Sequence, residues 1–269
     1  MDTAEDTFCY AHPRTPTRLR CTRCDRPICG RCAIPASVGQ HCPECVAEAR
    51  RSAPKVRTAM AANAPVVMAI LIVTIGFFFA GQASPRLEFR LAMFPPAIED
   101  GEWWRLFTPV LVHANILHIG MNMLILYIYG QNVEQTFGSV RFVLIYLVSA
   151  LLGSAFSFAF GSGRPSVGAS GAIFGVVGAL IVYLYRRRSS ALMGQYLNGL
   201  VTFVAINAVI GLIIPGIDVF AHLGGFAGGA ALALGFDRET GPQASAPAGV
   251  QAAALMAVVG AGVLLVAFA

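Results

Sequence analysis

The sequence predicts an all-α polytopic membrane protein that begins with a small cysteine-rich head. Of the 269 residues, 56% are hydrophobic and 12% are charged, and the mean hydropathy of +0.66 is too apolar for an ordinary soluble globule. All seven cysteines lie between Cys9 and Cys45. Residues 1–57 carry ten Lys/Arg against six Asp/Glu, whereas the rest of the chain carries nine against eight. The chain therefore divides near Arg57 into a polar head and an apolar body.

The head contains four pairs of metal-ligand side chains, each pair separated by two residues. They are Cys9/His12, Cys21/Cys24, Cys29/Cys32 and Cys42/Cys45. An odd number of cysteines in such pairs favours metal thiolates over disulfides, and thus a reducing, cytoplasmic compartment. Eight ligands predict two tetrahedral zinc sites. We expect both ions to be structural, because a head of about 50 residues cannot bury much of a core without a metal.

The pairing of these ligands stays open between two arrangements. A cross-brace would place Cys9, His12, Cys29 and Cys32 at one ion, and Cys21, Cys24, Cys42 and Cys45 at the other. Sequential pairing is the alternative. His41 is a spare ligand that we expect to lie in a loop. No cofactor is expected for catalysis.

The ten basic residues of the head raise nucleic-acid binding as a hypothesis. Seven thiolates and two divalent ions would lower its formal charge from +4 to +1, and its basic residues are not interleaved with aromatic ones. We therefore expect no nucleic acid partner. A protein-interaction module with a cytoplasmic protein partner is the better interpretation.

The body contains seven segments near the length of about 20 apolar residues that a spanning helix needs. They are 59–80, 116 to about 135, 142–160, 168–185, 197–214, 220–236 and 250–269. Pro109 discourages an earlier start of the second segment, and Asn115 is its predicted N-cap. The predicted organisation is a zinc domain over 1–50, a basic linker over 51–58, six spans within 59–236, a cytoplasmic loop over 237–249 and a seventh span over 250–269.

Basic residues in short loops predict the orientation in the membrane. Arg186, Arg187 and Arg188 follow the fourth span, and a basic run over 50–57 precedes the first. Both segments, and with them the N-terminus, are therefore expected in the cytoplasm. The connection 81–114 then faces outward, where Trp103, Trp104 and Arg105 suit the interface. In this topology four polar side chains fall near the outer ends of their helices, at similar depth: His118, Asn122, Ser170 and His222.

Each of these polar residues has a simpler interpretation. Ser170 could be an N-cap, His222 could reach toward the interface, and His118 with Asn122, four residues apart, could join two helices. His113 precedes its helix and suggests a loop contact.

The glycines favour a functional interpretation of Ser170 and His222. Gly171, Gly175 and Gly178 recur along the fourth span, and Gly225 with Gly229 lies on the His222 face of the sixth. Small residues at this spacing let two helix backbones approach closely. Ser170 and His222 would then come within hydrogen-bonding reach, as a nucleophile and its base require.

Together these motifs resemble the rhomboid intramembrane serine proteases, in that family's order from about residue 59 onward. The motifs are "WR" at 104–105, "HANILHIGMN" at 113–122, "GASG" at 168–171 and "AHLGGFAGG" at 221–229. The resemblance implies a six-helix core, here followed by a seventh span. It also implies Ser170 as nucleophile and His222 as general base and acid, with no need of a buried carboxylate to orient the histidine.

The resemblance assigns further roles around this dyad. The oxyanion donors would be the Ser170 backbone N–H and the side chains of His118 and Asn122. Phe174 takes the place of an aromatic residue that packs on the catalytic histidine and is tyrosine in some relatives. Gly171, Gly225 and Gly229 would pack the site, while His113, Trp104 and Arg105 would support the loops. The head resembles a B-box or zinc-ribbon module, a pattern found before some actinobacterial rhomboids.

Three other functional classes fit less well. Catalytically silent rhomboid-like proteins, which act as binding or chaperone modules, lack the serine, the histidine or both. A zinc intramembrane protease is disfavoured because the body has no HExxH motif. A channel or transporter is disfavoured because little charge is buried and the polar cluster is one-sided. The sequence therefore predicts a multi-pass plasma-membrane protease that acts on transmembrane protein substrates near the outer face of the lipid bilayer.

Overall fold

The computed structural model describes residues 7–36, 38–52, 64–236 and 248–269, which belong to two compact units, Met1–Thr58 and Ala59–Ala269. The predicted start of the first span at residues 59–63, most of the basic linker and residues 237–247 of the predicted loop lie outside the described residues.

The head folds as two small antiparallel hairpins followed by a helix. The elements are β1 Phe8–Cys9, β2 His12–Pro16, β3 Ile34–Pro35, β4 Gln40–His41 and α1 Pro43–Ser52. The expectation of a loop at His41 is therefore wrong, because this residue pairs with Ile34 between the two short strands. The hairpins bring together cysteine pairs that are far apart in the sequence.

The body is helical, which confirms the predicted fold class. Its helices are α2 Pro65–Ala83, α3 Pro85–Leu91, α4 Pro95–Glu99, α5 Ile116–Ile125, α6 Gln131–Phe137, α7 Ser139–Phe160, α8 Ser170–Arg186, α9 Ala191–Ile213, α10 Val219–Phe236 and α11 Ala248–Phe268. A π-helical turn, Leu126–Gly130, joins α5 to α6 without a break.

Within the described residues, five helices are long and apolar enough to cross a membrane, and the chain is a multi-pass membrane protein. They are α2, α7, α9, α10 and a segment of α11 from Val250. The two remaining predicted spans, the second and the fourth, do not form single long α-helices of this kind. Helix α8 has 17 residues, and the second span is continuous but consists of two shorter α-helices, α5 and α6, joined by the π-helical turn.

Helices α7, α8 and α10 form the centre of the body. In the most apolar stretch of α7, 67% of the residues are buried, against 11% in α9 and in α11. The buried core joins Phe142 and Ile145 of α7 to Val176 and Leu180 of α8 and Leu232 of α10. Ser170 and His222 therefore lie on two of the three helices that share this buried core.

The connection between α2 and α5 is more ordered than the sequence indicates. Besides α3 and α4 it forms two 3₁₀ turns, Trp103–Leu106 and Thr108–Leu111. Asn115 then caps α5 as predicted, because its side chain accepts a hydrogen bond from the His118 N–H at 2.9 Å. This cap places His118 in the first turn of α5.

Candidate active site and metal centres

Ser170 is the first residue of α8, and its side chain faces a second helix. Ala169 occupies the N-cap position and no side chain caps the helix, so the N-cap interpretation of Ser170 is wrong. The Ser170 Oγ lies 2.8 Å from Nε2 of His222, which is on α10. Both residues are half-buried. The hydroxyl is thus paired with an imidazole 52 residues away.

Glycines allow this approach of α8 to α10. A Cβ at Gly225 would overlap the carbonyl oxygen of Gly171, and one at Gly229 would overlap the carbonyl oxygen of Gly175. A Cβ at Gly178 would lie 2.6 Å from the Phe226 carbonyl oxygen. Any side chain at these positions would push the two backbones apart. The predicted contact of the two glycine stripes is therefore present.

An aromatic residue packs on the His222 ring, and an acidic residue anchors the helix that carries it. The Phe174 ring stacks on the His222 imidazole, with centroids 4.2 Å apart and planes at 11°. Asp218 accepts hydrogen bonds from the Ser157 hydroxyl and, at 2.9 Å, from the Ala221 N–H. Its carboxylate thus anchors the start of α10 to α7.

The residues before Ser170 are held by the segment that precedes α5. His113, 1% exposed, accepts a hydrogen bond at Nε2 from the Ala169 N–H at 3.3 Å. The rings of His113 and His118 meet edge to face, with centroids 5.0 Å apart. A Cβ at Gly168 would lie 2.7 Å from the His118 ring. His118 therefore lies against Gly168, and His113 holds Ala169, the two residues that lead into Ser170.

Asn122 is buried one turn after His118. Its Nδ2 donates a hydrogen bond to the His118 carbonyl oxygen at 2.8 Å. A side-chain amide carries two N–H groups, so this bond occupies only one of them.

Arg105 and Trp104 differ in their surroundings although they are adjacent. Arg105 is 4% exposed and donates to the Phe89 and Ala92 carbonyl oxygens at 2.6 and 2.8 Å, and to the Glu102 carboxylate at 2.5 Å. Trp104 is exposed. Arg105 therefore holds the connection between α2 and α5 from within.

A cavity opens beside Ser170 and is lined mainly by small side chains. Ala150, Gly153 and Ser154 of α7 and Gly171 and Ala172 of α8 form part of its wall. Met93 and Ser166 close it from the loops. A small apolar side chain next to a bond held at Ser170 would fit this space.

Sequence reasoning missed Glu134, Asp218 as an anchor, and Met93. Glu134, 2% exposed, accepts hydrogen bonds from the N–H groups of Val66 and Val67 and from the Ser139 hydroxyl. One signal could have identified it, because Glu134 is the only acidic residue within the seven predicted spans. Met93 carries no comparable signal in the sequence.

The eight predicted metal ligands of the head form two groups that match the cross-brace. Within each group the ligand atoms lie within 4.8 Å of one another, and the groups are Cys9, His12, Cys29 and Cys32, and Cys21, Cys24, Cys42 and Cys45. Sequential pairing is therefore wrong. Burial and the neighbouring thiols raise the pKa of Cys45 to about 12.

The spacing of the sulfur atoms fits a tetrahedral zinc ion. Zn–S bonds of about 2.3 Å predict sulfur atoms about 3.8 Å apart. The Cys9 and Cys32 Sγ atoms are 3.8 Å apart, and those of Cys24 and Cys42 are 3.7 Å apart. Arg26 donates to the Cys24 Sγ at 3.4 Å and forms an ion pair with Glu44, an outer contact that orients the ligand. The residues therefore fit two metal ions.

Comparison with known proteins identifies the body. The Rhomboid domain family matches residues 100–238. Rhomboid protease GluP of Bacillus subtilis is 44% identical over 143 residues, which cover 52% of this chain and 28% of that protein. RHOMBOID-like protein 1 of Arabidopsis thaliana is 43% identical over 145 residues, which cover 52% of this chain and 35% of that protein.

A shorter relative agrees with this match. Putative rhomboid protease YdcA of Bacillus subtilis is 35% identical over 138 residues, which cover 49% of this chain and 66% of that protein. The chain thus spans less than two thirds of the length of each of these curated relatives. The matched residues include the paired Ser170 and His222, the oxyanion candidates and Arg105. The chain belongs to the rhomboid family.

Proposed function

We propose that the chain is an intramembrane serine endopeptidase that uses a Ser170–His222 dyad. The 2.8 Å contact between Ser170 Oγ and His222 Nε2 is the observation that carries this proposal. A serine hydroxyl is a weak nucleophile until a neighbouring base accepts its proton. An imidazole at hydrogen-bonding distance, half-buried in an apolar body, supplies that base.

The reaction follows the two-step course of acyl transfer. Ser170 Oγ attacks the carbonyl carbon of the substrate while His222 Nε2 takes the hydroxyl proton. His222 then gives this proton to the departing amine, which leaves an acyl ester on Ser170. A water molecule, deprotonated by His222, attacks the ester carbon, and the proton returns to Ser170 as the ester bond breaks. A carboxylic acid and an amine are released, and no cofactor is needed.

Negative charge on the former carbonyl oxygen would be stabilised by donors near Ser170. The N–H groups in the first turn of α8 have no intrahelical acceptor. Asn122 retains a second amide N–H, and His118 lies against Gly168. Each pre-aimed donor is worth about 3 kcal/mol in the transition state. These contacts support the oxyanion roles of His118 and Asn122.

Single-span membrane proteins are the proposed substrates, cleaved near the outer face of the bilayer. A continuous helix keeps its peptide groups within its own hydrogen bonds, so a substrate must unwind beside Ser170. The relatives named rhomboid proteases support the substrate class. The small-residue lining of the cavity favours a small side chain before the cleaved bond.

The direct test compares Ser170→Ala and His222→Ala with Ser166→Ala. Ser166 lines the same cavity but is not part of the dyad, so it controls for loss of a hydroxyl. We expect the dyad variants to lose both cleavage of a single-span substrate and fluorophosphonate labelling, while Ser166→Ala retains them. Turnover by clean Ser170→Ala protein would exclude the mechanism, and a wild-type chain that is never labelled would favour a silent binding module.

We further propose that the head is cytoplasmic and that the active site opens outward in the plasma membrane. Three arginines, Arg186 to Arg188, support this orientation. A cysteine introduced at Ser162 should react with an impermeant reagent from outside, and one at Ser189 only from inside. The reverse labelling pattern would contradict the orientation and the cleavage depth.

The head is proposed to hold two structural zinc ions and to recruit a cytoplasmic protein. The two ligand groups support the metal content. Zn²⁺ would supply the cross-links that replace a hydrophobic core in this small unit.

A further inference from the structure

Met93 connects the cavity beside Ser170 to the rest of the body. It is 2% exposed and lines the cavity together with small residues of α7 and α8. Its backbone pairs with Ser166 through two hydrogen bonds of 2.9 and 2.8 Å. Ser166 is four residues before Ser170. Met93 is therefore fixed at its backbone to the segment that leads into the proposed nucleophile.

The side chain of Met93 belongs to a buried cluster that includes the end of α11. The other members are Ile98, Leu106, Leu151, Ala155 and Val266. Val266 is 7% exposed, whereas Val263 and Leu264 beside it are 56% and 58% exposed. The last turn of α11 therefore presents Val266, with the partly buried Leu265, toward the cluster, and Val263 and Leu264 away from it.

Helix α11 is fixed to α7 along its length. Near its start, Gln251 accepts a hydrogen bond from Arg141 at 3.0 Å. Near its end, a Cβ at Gly262 would lie 2.8 Å from the Leu152 side chain. The position of Val266 is thus set by contacts on α7, the helix that supplies much of the cavity wall. Both Met93 and α11 lie outside residues 100–238, which match the family domain.

We propose that α11 determines which substrate side chain the cavity accepts, because Val266 supports the cluster that holds Met93 against the cavity. This inference rests on the proposed protease function and identifies Met93 as its specificity-determining residue. A methionine side chain is flexible and adapts to the space around it. Its position therefore depends on how tightly its neighbours pack. With Val266 in place, the wall is rigid and the space suits a small side chain.

The test measures kcat/KM for single-span substrates that differ only in the residue before the cleaved bond, alanine against leucine. Variants Met93→Ala and Val266→Ala are compared with Leu264→Ala, a matched control on the lipid-facing side of the same turn. We expect wild type and Leu264→Ala to prefer alanine equally. The two test variants should reduce this preference about tenfold, within the range that a methylene-sized difference in a pocket produces. Val266→Ile should retain the wild-type preference.

A second readout separates specificity from damage to the fold. The rate of fluorophosphonate labelling at Ser170, whose small probe does not need the cavity wall, should change less than twofold in Val266→Ala. An equal fall for both substrates, or an unchanged ratio in Met93→Ala and Val266→Ala, would overturn the inference while leaving the protease function intact. Absence of both labelling and cleavage in wild type would overturn both.

Discussion

His222 is oriented by a ring rather than by a carboxylate. Phe174 stacks on it at 4.2 Å, one helical turn after Ser170. Asp218, the acidic residue nearest in sequence, binds Ser157 and the Ala221 N–H. A stacked aromatic pair contributes about 0.5–1.5 kcal/mol beyond its buried area. The imidazole therefore owes its orientation to α8, the same helix that carries the nucleophile.

This stacking predicts the behaviour of two Phe174 variants. Phe174→Ala should lower kcat about tenfold, because His222 loses the surface that holds its ring beside Ser170. Phe174→Tyr should retain nearly full kcat, because it keeps the ring. Steady-state cleavage of a single-span substrate measures both values. Equal rates for the alanine variant and wild type would remove Phe174 from any role in positioning His222.

The contact of α8 with α10 predicts a strong effect of one added methyl group. Gly225→Ala should lower the free energy of unfolding by about 1–3 kcal/mol and slow labelling of Ser170, because its Cβ overlaps the Gly171 carbonyl oxygen. Gly199→Ala on α9 is the control, since a Cβ there meets no atom within 4 Å. Thermal unfolding in detergent compares them. A stable Gly225→Ala protein with normal labelling would be inconsistent with the close approach.

At the scale of elements, Glu134 joins the second span to the first. Its two carboxylate oxygens accept hydrogen bonds from Val66 and Val67, at 3.1 and 2.9 Å, at the start of α2. The first N–H groups of a helix have no partner in the helix itself, and a carboxylate also complements the positive end of the helix dipole. Glu134 thus acts as a cap supplied by another helix.

Replacing this distant cap should destabilise the body. Glu134→Ala should cost about 3 kcal/mol, because it leaves buried N–H groups without an acceptor. Glu134→Gln should cost less, since one oxygen remains. The exposed Glu99 provides the control substitution Glu99→Ala. Thermal unfolding midpoints in detergent rank the stability of the three variants. Similar midpoints for Glu134→Ala and Glu99→Ala would contradict the capping role.

The elements also explain what could be predicted from sequence. Five of the seven predicted spans correspond to long apolar helices of the described residues, because a long run of apolar residues indicates a helix in lipid. The start of α5 and the pairing of α8 with α10 were predictable, because Asn115 and the glycines act through local rules. The turns around the buried Arg105 were not predictable, because Arg105 binds carbonyl groups of Phe89 and Ala92 that any residue could supply. The position of Met93 beside the cavity was not predictable, since only tertiary packing places it there.

At the scale of the whole molecule, the metal-ligand groups and the proposed catalytic residues belong to different compact units of the chain. The ligand groups lie between Cys9 and Cys45, and the proposed catalytic residues lie between His118 and His222. The cross-brace ties the two hairpins and α1 together within the head. Nothing in the described body contributes a ligand to either group.

This separation predicts the result of removing the metal. The full chain should contain two zinc ions by elemental analysis. Strong chelation should expose reactive thiols, because cysteine-rich sites lose their structure with their metal. Fluorophosphonate labelling of Ser170 should persist, and a chain truncated to begin at Pro54 should bind no zinc and still be labelled. Loss of Ser170 reactivity on chelation, in protein that stays inserted, would mean that the head supports the active site directly.

The π-helical turn Leu126–Gly130 sets the direction of the side chains of α6 relative to those of α5. A turn closed by i→i+5 hydrogen bonds accommodates one residue more than an α-helical turn, and each residue of an α-helix advances the direction of the side chain by about 100°. If the same residues formed a regular α-helix instead, Glu134 would be rotated by about that angle relative to His118. The cap on α2 and the groups beside Ser170 could then no longer be served by one continuous span. An insertion or deletion elsewhere between His118 and Glu134, which leaves the π-helical turn in place, would therefore separate these two roles.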